Sequence, residues 1–491
     1  MKLTTTYLLM LIFGISFNAF GQQVPTQDLT LEQVIEMAQG RTSKTTLAKT
    51  VLTNSFWNYT AFQGSFKPTL TAEATLPDFN RSISRISLPN GDVAFTPQAY
   101  VRGDAGLRIA QTIPSLGTRI FLYSGLERLD ILESSGPNQT SYYSTPISIG
   151  FSQPLFQHNE NKWNQKIQPL QYEAAQKQYI EDMELIAFNA VDAYFGYYIA
   201  QLDLEATRLD KMNADSLYIL SKGRYSVGRI AETDLMQIEL NVKSAESAQA
   251  QAKIDLENSA EDLRRLLNIR DEVYFDLAEP KELAILEIDI DRAIELARKY
   301  RATSTSFRIR MLRAEKEVDQ AQKSNGLTVN LNGNFGLSQT DVNVADAYKN
   351  LLDQERLSLN LQIPIADWGR TKAQREIAAS GLELAKINTQ EAEEQFEREI
   401  DIKIRELVLL KNRLDLAKST YEVSQKRLDI TRKRYTVDKV DVLSLNQAIV
   451  DKERSRQNYY SSLRAYYQGY YRIRLLTLYD FFEDKPIFYE Q

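Results

Sequence analysis

The sequence predicts a mainly α chain with membrane β: long antiparallel coiled-coil hairpins, plus strands that each chain contributes to a barrel. Three observations predict it. Several short segments alternate strictly between apolar and uncharged polar residues, and residues 382 to 468 contain neither Pro nor Gly. The chain also says nearly the same thing twice, as "KGRYSVGRIAETDLMQIEL" (222–240) and "RKRYTVDKVDVLSLNQAIV" (432–450).

Composition narrows the chemistry. The 491 residues contain no cysteine and one histidine, His158. That removes disulfides, thiolate nucleophiles, lipidation at a lipobox cysteine, most zinc sites and the usual nucleophile–base pairs. No cofactor is expected. A net charge of −6 argues against nucleic acid as a partner.

The first element is a signal peptide, 1–21. Lys2 supplies the positive start, "YLLMLIFGISF" the apolar run, and "NAFG" the small residues before cleavage between Gly21 and Gln22. The run is too short for a membrane anchor. Export is therefore expected.

Next comes the repeat. Arg224 and Arg434, Tyr225 and Tyr435, Val227 and Val437, Leu235 and Leu445, and Gln237 and Gln447 all keep one offset (434 − 224 = 210). Pro154 in "ISIGFSQPLF" and Pro364 in "LSLNLQIPIA" keep it too. One gapless offset over separated stretches indicates duplication. Upstream, "QVIEMA" (33–38) matches "RAIELA" (292–297) at a larger offset (297 − 38 = 259), so the first copy carries 49 extra residues (259 − 210) before Pro154. The copies are expected at 28–278 and 286–478, with a C-terminal tail at 479–491.

Each copy opens with a helix, expected at 30–64 and at 289–323. Alternation follows. "PTLTAEATL" sets Leu70, Ala72, Ala74 and Leu76 against Thr69, Thr71, Glu73 and Thr75. In the second copy, 327–335 sets Leu327, Val329, Leu331 and Phe335 against Thr328, Asn330, Asn332 and Asn334. Likewise 357–365 sets Leu357, Leu359, Leu361 and Ile363 against Ser358, Asn360 and Gln362. Period two means strands. A clean Asn/Thr/Ser/Gln face on an exported chain fits a barrel with lipid outside and water inside. The insertion holds one more strand pair, 105–126, around a Pro-Ser-Leu-Gly turn. Polar loops are expected on either side of it, at 78–95 and 134–144, the latter carrying Tyr142 and Tyr143.

Long helices complete each copy. Leu407, Leu410, Leu414, Ala417, Tyr421, Ser424, Leu428, Thr431 and Tyr435 step by three and four, a heptad seam between charged flanks. Such a narrow stripe needs helical neighbours along its whole length. The Arg-Tyr stretches interrupt these helices at turn-tolerant Gly223, Gly228, Asp438 and Asp441, so each is expected at a hairpin tip, near 225–234 and 435–444. The chain repeats itself because it builds two hairpins.

Four to six strands cannot close a membrane barrel, and open edges are not tolerated in lipid. Several chains must share one barrel. The whole pattern resembles the TolC family of outer-membrane efflux and secretion ducts. The marks are the duplicated helix–strand–strand–helix order, "FSQPLF", "LQIPIADWGR" and "RYSVGRIAETDL". Tyr225, Gly228, Asp234 and Leu235 match the family's tip pattern. The second tip keeps Tyr435 but has Asp438 in place of Gly and Ser444 in place of Asp.

The resemblance implies a homotrimer with a barrel in outer-membrane lipid and a periplasmic helical tunnel. It implies docking on a periplasmic adaptor and an inner-membrane pump, and passive conduction without catalysis. By position it makes Asp234 and Tyr435 gate candidates, among the charged and turn residues Arg224, Tyr225, Gly228, Arg229, Arg434, Asp438 and Asp441. Ser444 and Gln447 occupy the second copy's acidic-ring positions, which leaves Asp438 and Asp441 to supply that charge. A trimer holds eighteen strands if 105–126 enters the barrel and twelve otherwise. The competing reading is a structural or adhesive coiled-coil envelope protein, which has no use for amphipathic strands split between two repeats. An enzyme is not expected, since the carboxylates lie on solvated helix faces.

Overall fold

The computed structural model describes residues 26–489 apart from 88, 90, 133–136, 282, 284–286 and 324–325. The signal peptide expected at 1–21 lies outside the described residues.

The duplication is visible in the element boundaries. α3 (Glu160–Ser226) and α7 (Arg370–Thr436) each run 67 residues, and α4 (Glu232–Leu267) and α8 (Val442–Thr477) each run 36. All these boundaries keep the offset of 210. α1 (Leu31–Arg41) and α5 (Ile290–Tyr300), with α2 (Ser43–Gly64) and α6 (Ala302–Lys323), keep 259 at both ends.

The helices expected at 30–64 and 289–323 are each two helices. Thr42 and Arg301 adopt extended backbone and end the first of each pair. In the second copy the break is supported from far away in sequence. The Glu181 carboxylate accepts from the Ala302 N–H at 2.8 Å and pairs with Arg301 at 3.1 Å, satisfying the new helix start. Local pattern carries no trace of that cap.

The chain forms two compact units. One comprises Met1–Ser43, Asn189–Ala284 and Leu414–Tyr467. Here β1 (Thr26–Leu29) pairs in parallel with β6 (Tyr274–Leu277). A capping box starts α1: Gln33 N–H donates to the Thr30 hydroxyl, and the Gln33 amide accepts from Thr30 N–H. Tyr194 and Tyr197 are buried, and Tyr197 donates to the Phe275 carbonyl. Along α7 the seam residues Leu414, Ser424, Leu428 and Tyr435 are buried, while Asp415, Lys418, Glu422 and Lys426 are exposed. Leu217, Ile238, Leu428, Tyr435, Val442, Leu445 and Ala448 form one apolar cluster joining the four helices at the tips.

The other unit comprises Lys44–Phe188, Ile285–Arg413 and Gln468–Gln491. It holds one antiparallel sheet in the order β2-β3-β4-β5-β7-β8. The strands are β2 (Thr69–Ser87), β3 (Val93–Ile113), β4 (Thr118–Ile131), β5 (Gln139–Leu155), β7 (Thr328–Asp341) and β8 (Leu352–Gln362). The inserted pair is thus part of the sheet, between β2 and β5. The tail adds a short pairing of β9 (Tyr479–Asp480) with β10 (Lys485–Pro486).

Two expected loops are mostly strand. Most of 78–95 belongs to β2 and β3, which stay paired up to Ser87 and Val93. From 139 onward, the segment expected as a loop at 134–144 is β5, including Tyr142 and Tyr143. Polar composition misleads here because backbone pairing needs no apolar side chains. β4 leaves the sheet at the Ile131–Tyr100 rung, and beyond it β2 and β3 continue as a two-stranded ribbon. Membrane strands need only ~9–11 residues, so 19 and 21 leave a surplus in water.

Candidate functional site

The sheet's two faces differ in chemistry. Register places Leu70, Ile109, Leu122, Ile149, Phe335, Leu357, Leu359 and Leu361 on one side, all exposed. The other side carries Thr71, Glu73, Arg108, Ser148, Asn330, Asn332, Asn334, Ser358 and Asn360. On it, Arg108 pairs with Glu73 at 2.9 Å and lies over the Phe121 and Tyr123 rings. Arg102 pairs with Glu127 at 2.8 Å. Sequence reading did not single out Arg102, Arg108 or Glu127. Their partners sit on neighbouring strands, so only the register joins them. No described helix is long and apolar enough to cross a membrane.

The two tips share one backbone design. Gly228 has φ +70° and Asp438 has φ +63°, at equivalent positions. Gly228 N–H donates to Tyr225 and Arg229 N–H to Arg224; Asp438 N–H donates to Tyr435 and Lys439 N–H to Arg434. This left-handed helix stop is the reason for Gly in one copy, and Asp is among the residues that tolerate it in the other. Asp441 caps α8, accepting from Ser444 N–H at 2.9 Å, and hydrogen bonds from Ser444 hold its carboxyl below the ordinary range.

Side chains join the two tips. The Arg224 guanidinium donates to the Tyr435 carbonyl at 2.9 Å and to the Thr436 carbonyl at 2.8 Å. It lies 3.2 Å from the Asp438 carboxylate and 5.0 Å from the Tyr435 ring centre. Tyr435 is only 2% exposed, and its hydroxyl meets the buried Ser221 hydroxyl at 2.8 Å. The partner of the Tyr435 hydroxyl is therefore Ser221. Asp234 sits half-buried in the first turn of α4, a favourable place for a carboxylate at a helix N-terminus. Tyr225, Arg229, Arg434, Asp438 and Asp441 are exposed.

Ser221 escaped the sequence reading, although it aligns with Thr431 of the heptad seam and lies three residues before Arg224. A buried charge cluster in the same unit escaped it too. Lys452, nearly buried, bonds Asp210 at 3.0 Å and Glu453 at 2.7 Å. Arg456 bonds Glu453 at 2.6 Å and lies 3.1 Å from Asp203. Burial pushes the Asp203 and Asp210 carboxyls up. In the sequence these charges look like solvated helix faces. Among the described residues, no group of three or more His, Cys, Asp or Glu side chains is placed to hold a metal ion.

A sheet with an apolar face, a polar ion-paired face and two free edges, carried with paired 67-residue helices, defines a strand-and-coiled-coil membrane channel subunit. The family model described as "outer membrane efflux protein" matches residues 98–268 and 294–477, and the chain belongs to this family. Outer membrane protein TolC of Salmonella enteritidis is 23% identical over 336 residues, which span 64% of this chain and 65% of that protein, a little under two thirds of its length. The Campylobacter jejuni CmeC outer membrane channel matches with TM-score 0.63 at 15% identity, over 91% of this chain and 85% of that one. The Vibrio cholerae outer membrane protein VceC matches with TM-score 0.63 at 13% identity, over 91% and 95%. The fold is that of these channels, and the protein is one of the outer membrane, with its helices in the periplasm.

Proposed function

We propose that three copies of this chain close one barrel and one helical tunnel. The assembly serves as the passive exit duct of a tripartite efflux or type I secretion system. A periplasmic adaptor and an inner-membrane pump deliver its cargo. The observation that carries this reading is the sheet: six antiparallel strands whose free edges, β2 and β8, run in opposite directions. β8 of one copy thus meets β2 of the next with antiparallel polarity, and three copies give eighteen strands without an open edge in lipid. The exposed leucines then face hydrocarbon and the Asn/Thr/Ser face lines water. The joined tips form the tunnel's resting closure, with Arg224 and Tyr435 as its latch and the flanking charges, Asp234 among them, around the entrance. An adhesive coiled coil has no use for such a sheet. Native mass measurement of the detergent-solubilised protein should give a trimer, and liposomes carrying it should become permeable to small polar solutes. A monodisperse, folded monomer would overturn the reading.

A further inference from the structure

The ribbon of β2 and β3 carries side chains that a conducting duct leaves unused. All four strand ends that run into helices, Thr69, Leu155, Thr328 and Gln362, lie at one end of the sheet. With the helices in the periplasm, the turn between Ser87 and Val93 lies on the outer side of the membrane. The apolar face of the sheet has a visible upper limit. On that face β4 reads Leu122, Ser124 and Leu126, then Arg128 and Asp130, which pair at 3.0 Å. An ion pair on the lipid side marks where hydrocarbon gives way to hydrated headgroups. Asp130 shares its rung with Val101 and Phe79, so the ribbon beyond stands in the headgroup layer and above it.

One face of the ribbon continues the face that holds Leu107 and Ile109. It carries Phe79, Ile83 and Phe95, which are 60%, 71% and 72% exposed. Two arginines break this apolar row: Arg81, opposite Ala99, and Arg85, opposite Phe95. Beyond Asp78 the reverse face is uncharged, with Asn80, Ser82, Ser84 and Gln98. The other arginines at this end of the sheet are neutralised within it, Arg102 by Glu127 and Arg128 by Asp130. Arg81 and Arg85 are exposed, share their face of the ribbon with no carboxylate, and make no ion pair with a described residue. Exposed apolar area next to two uncompensated cations marks a binding surface for an amphipathic anion.

We propose that this face of the ribbon binds a phosphate-bearing glycolipid of the outer leaflet. Arg81 and Arg85 take its phosphates, and Ile83 and Phe95 lie against its apolar surface. A guanidinium fits a phosphate with two parallel N–H donors, which is why arginine suits this role. The two arginines lie four residues apart on one side of β2, about 13 Å along the strand. Each therefore reaches its own anionic group, such as phosphates at the two ends of a disaccharide headgroup. Continuity with the lipid-facing leucines brings the ribbon to this lipid without a further partner. A second copy of the ribbon does not suit the surface, since it would bring the same two cations to the same face.

The proposal rests on the lipid-facing side assigned above. Full-length protein in detergent, titrated with lipid A and followed by native mass spectrometry, should retain the lipid. The double variant Arg81→Gln/Arg85→Gln should bind it about a hundredfold more weakly, roughly tenfold for each arginine. Lipid A stripped of its phosphates should bind the parent as weakly as the intact lipid binds the double variant, a comparison that needs no mutation. The chain has no cysteine, so Ile83→Cys carries a single environment-sensitive dye. The dye should report apolar surroundings in vesicles containing lipid A and not in phosphatidylcholine alone. Equal retention of the lipid with and without phosphates overturns the proposal, and disulfide-linked dimers through Ile83→Cys overturn it in favour of a second copy. A double variant that keeps the lipid and changes ion selectivity shows the faces to be inverted, so the barrel reading fails with it. One that keeps the lipid with unchanged selectivity overturns this proposal alone.

Discussion

Removing the Arg224 side chain should open the tunnel entrance. The magnitude follows from what the guanidinium touches. Two hydrogen bonds from a cation to main-chain carbonyls at 2.9 and 2.8 Å contribute ~1.5–3 kcal/mol each. The contact with the Tyr435 ring adds ~0.5–1 kcal/mol. The ion pair with half-exposed Asp438 adds ~0–1 kcal/mol. The carbonyls sit at a tip where water replaces part of what is lost, so about 3 kcal/mol per chain is the expected loss. That shifts a closed–open equilibrium by roughly two powers of ten. Tyr435→Phe should cost less, ~1–2 kcal/mol, by leaving the buried Ser221 hydroxyl without its partner. Since Arg224 and Tyr435 touch, the double variant should fall short of the sum. In planar bilayers, Arg224→Ala should conduct more than the parent, and cells carrying it should become sensitive to vancomycin. The parent's conductance, scaled to the conductivity of the bath, should change little with salt, because the Arg224 side chain is mostly buried and screening acts on exposed pairs. A correctly assembled Arg224→Ala trimer with the parent's conductance would refute the latch and leave the repeated Arg-Tyr stretch as a turn only.

Leu359→Arg should block assembly, since an arginine facing mid-bilayer lipid costs roughly 2–4 kcal/mol per chain. Asn360→Arg, on the other side of β8, should assemble and alter ion selectivity; the reverse outcome in gel-filtration yields would mean the faces are inverted. Lys452→Met should lower thermal stability by about 3 kcal/mol by leaving half-buried Asp210 without its cation, while Glu453 keeps Arg456. Burial raises the Asp210 carboxyl, so acidification should neutralise it and recover part of that loss in calorimetry. Burial alone would raise Asp319, but hydrogen bonds from Lys323, Trp163 and His158 more than offset it and hold its carboxyl at about 2. A lowered value contributes stability that is present above the ordinary carboxylate range and lost as pH falls toward about 2. Asp319→Asn should therefore flatten the acid limb of the melting curve, and an unchanged limb would assign acid unfolding elsewhere.

The sequence by itself determined the periodic elements and their duplication. Leu357, Leu359 and Leu361 against Ser358 and Asn360 fix a two-faced strand, and Leu414, Leu428 and Tyr435 fix a helical seam. These signals are local, because one face of each element must meet one solvent. The tip turns were legible for the same reason: a left-handed stop demands Gly or a residue like Asp. Only the tertiary structure decided who meets whom. The breaks at Thr42 and Arg301 were hidden because the second is satisfied by Glu181, distant in sequence. The ribbon of β2 and β3 was hidden because strands in water on both faces lose the alternation that marks a strand in lipid. The partner of Tyr435 is Ser221 because α3 and α7 pack in one register, and a shift of a single turn would have offered another residue. The cluster around Lys452 was hidden for the same reason, since burial of a charge is a property of the neighbouring helix and leaves no mark on its own.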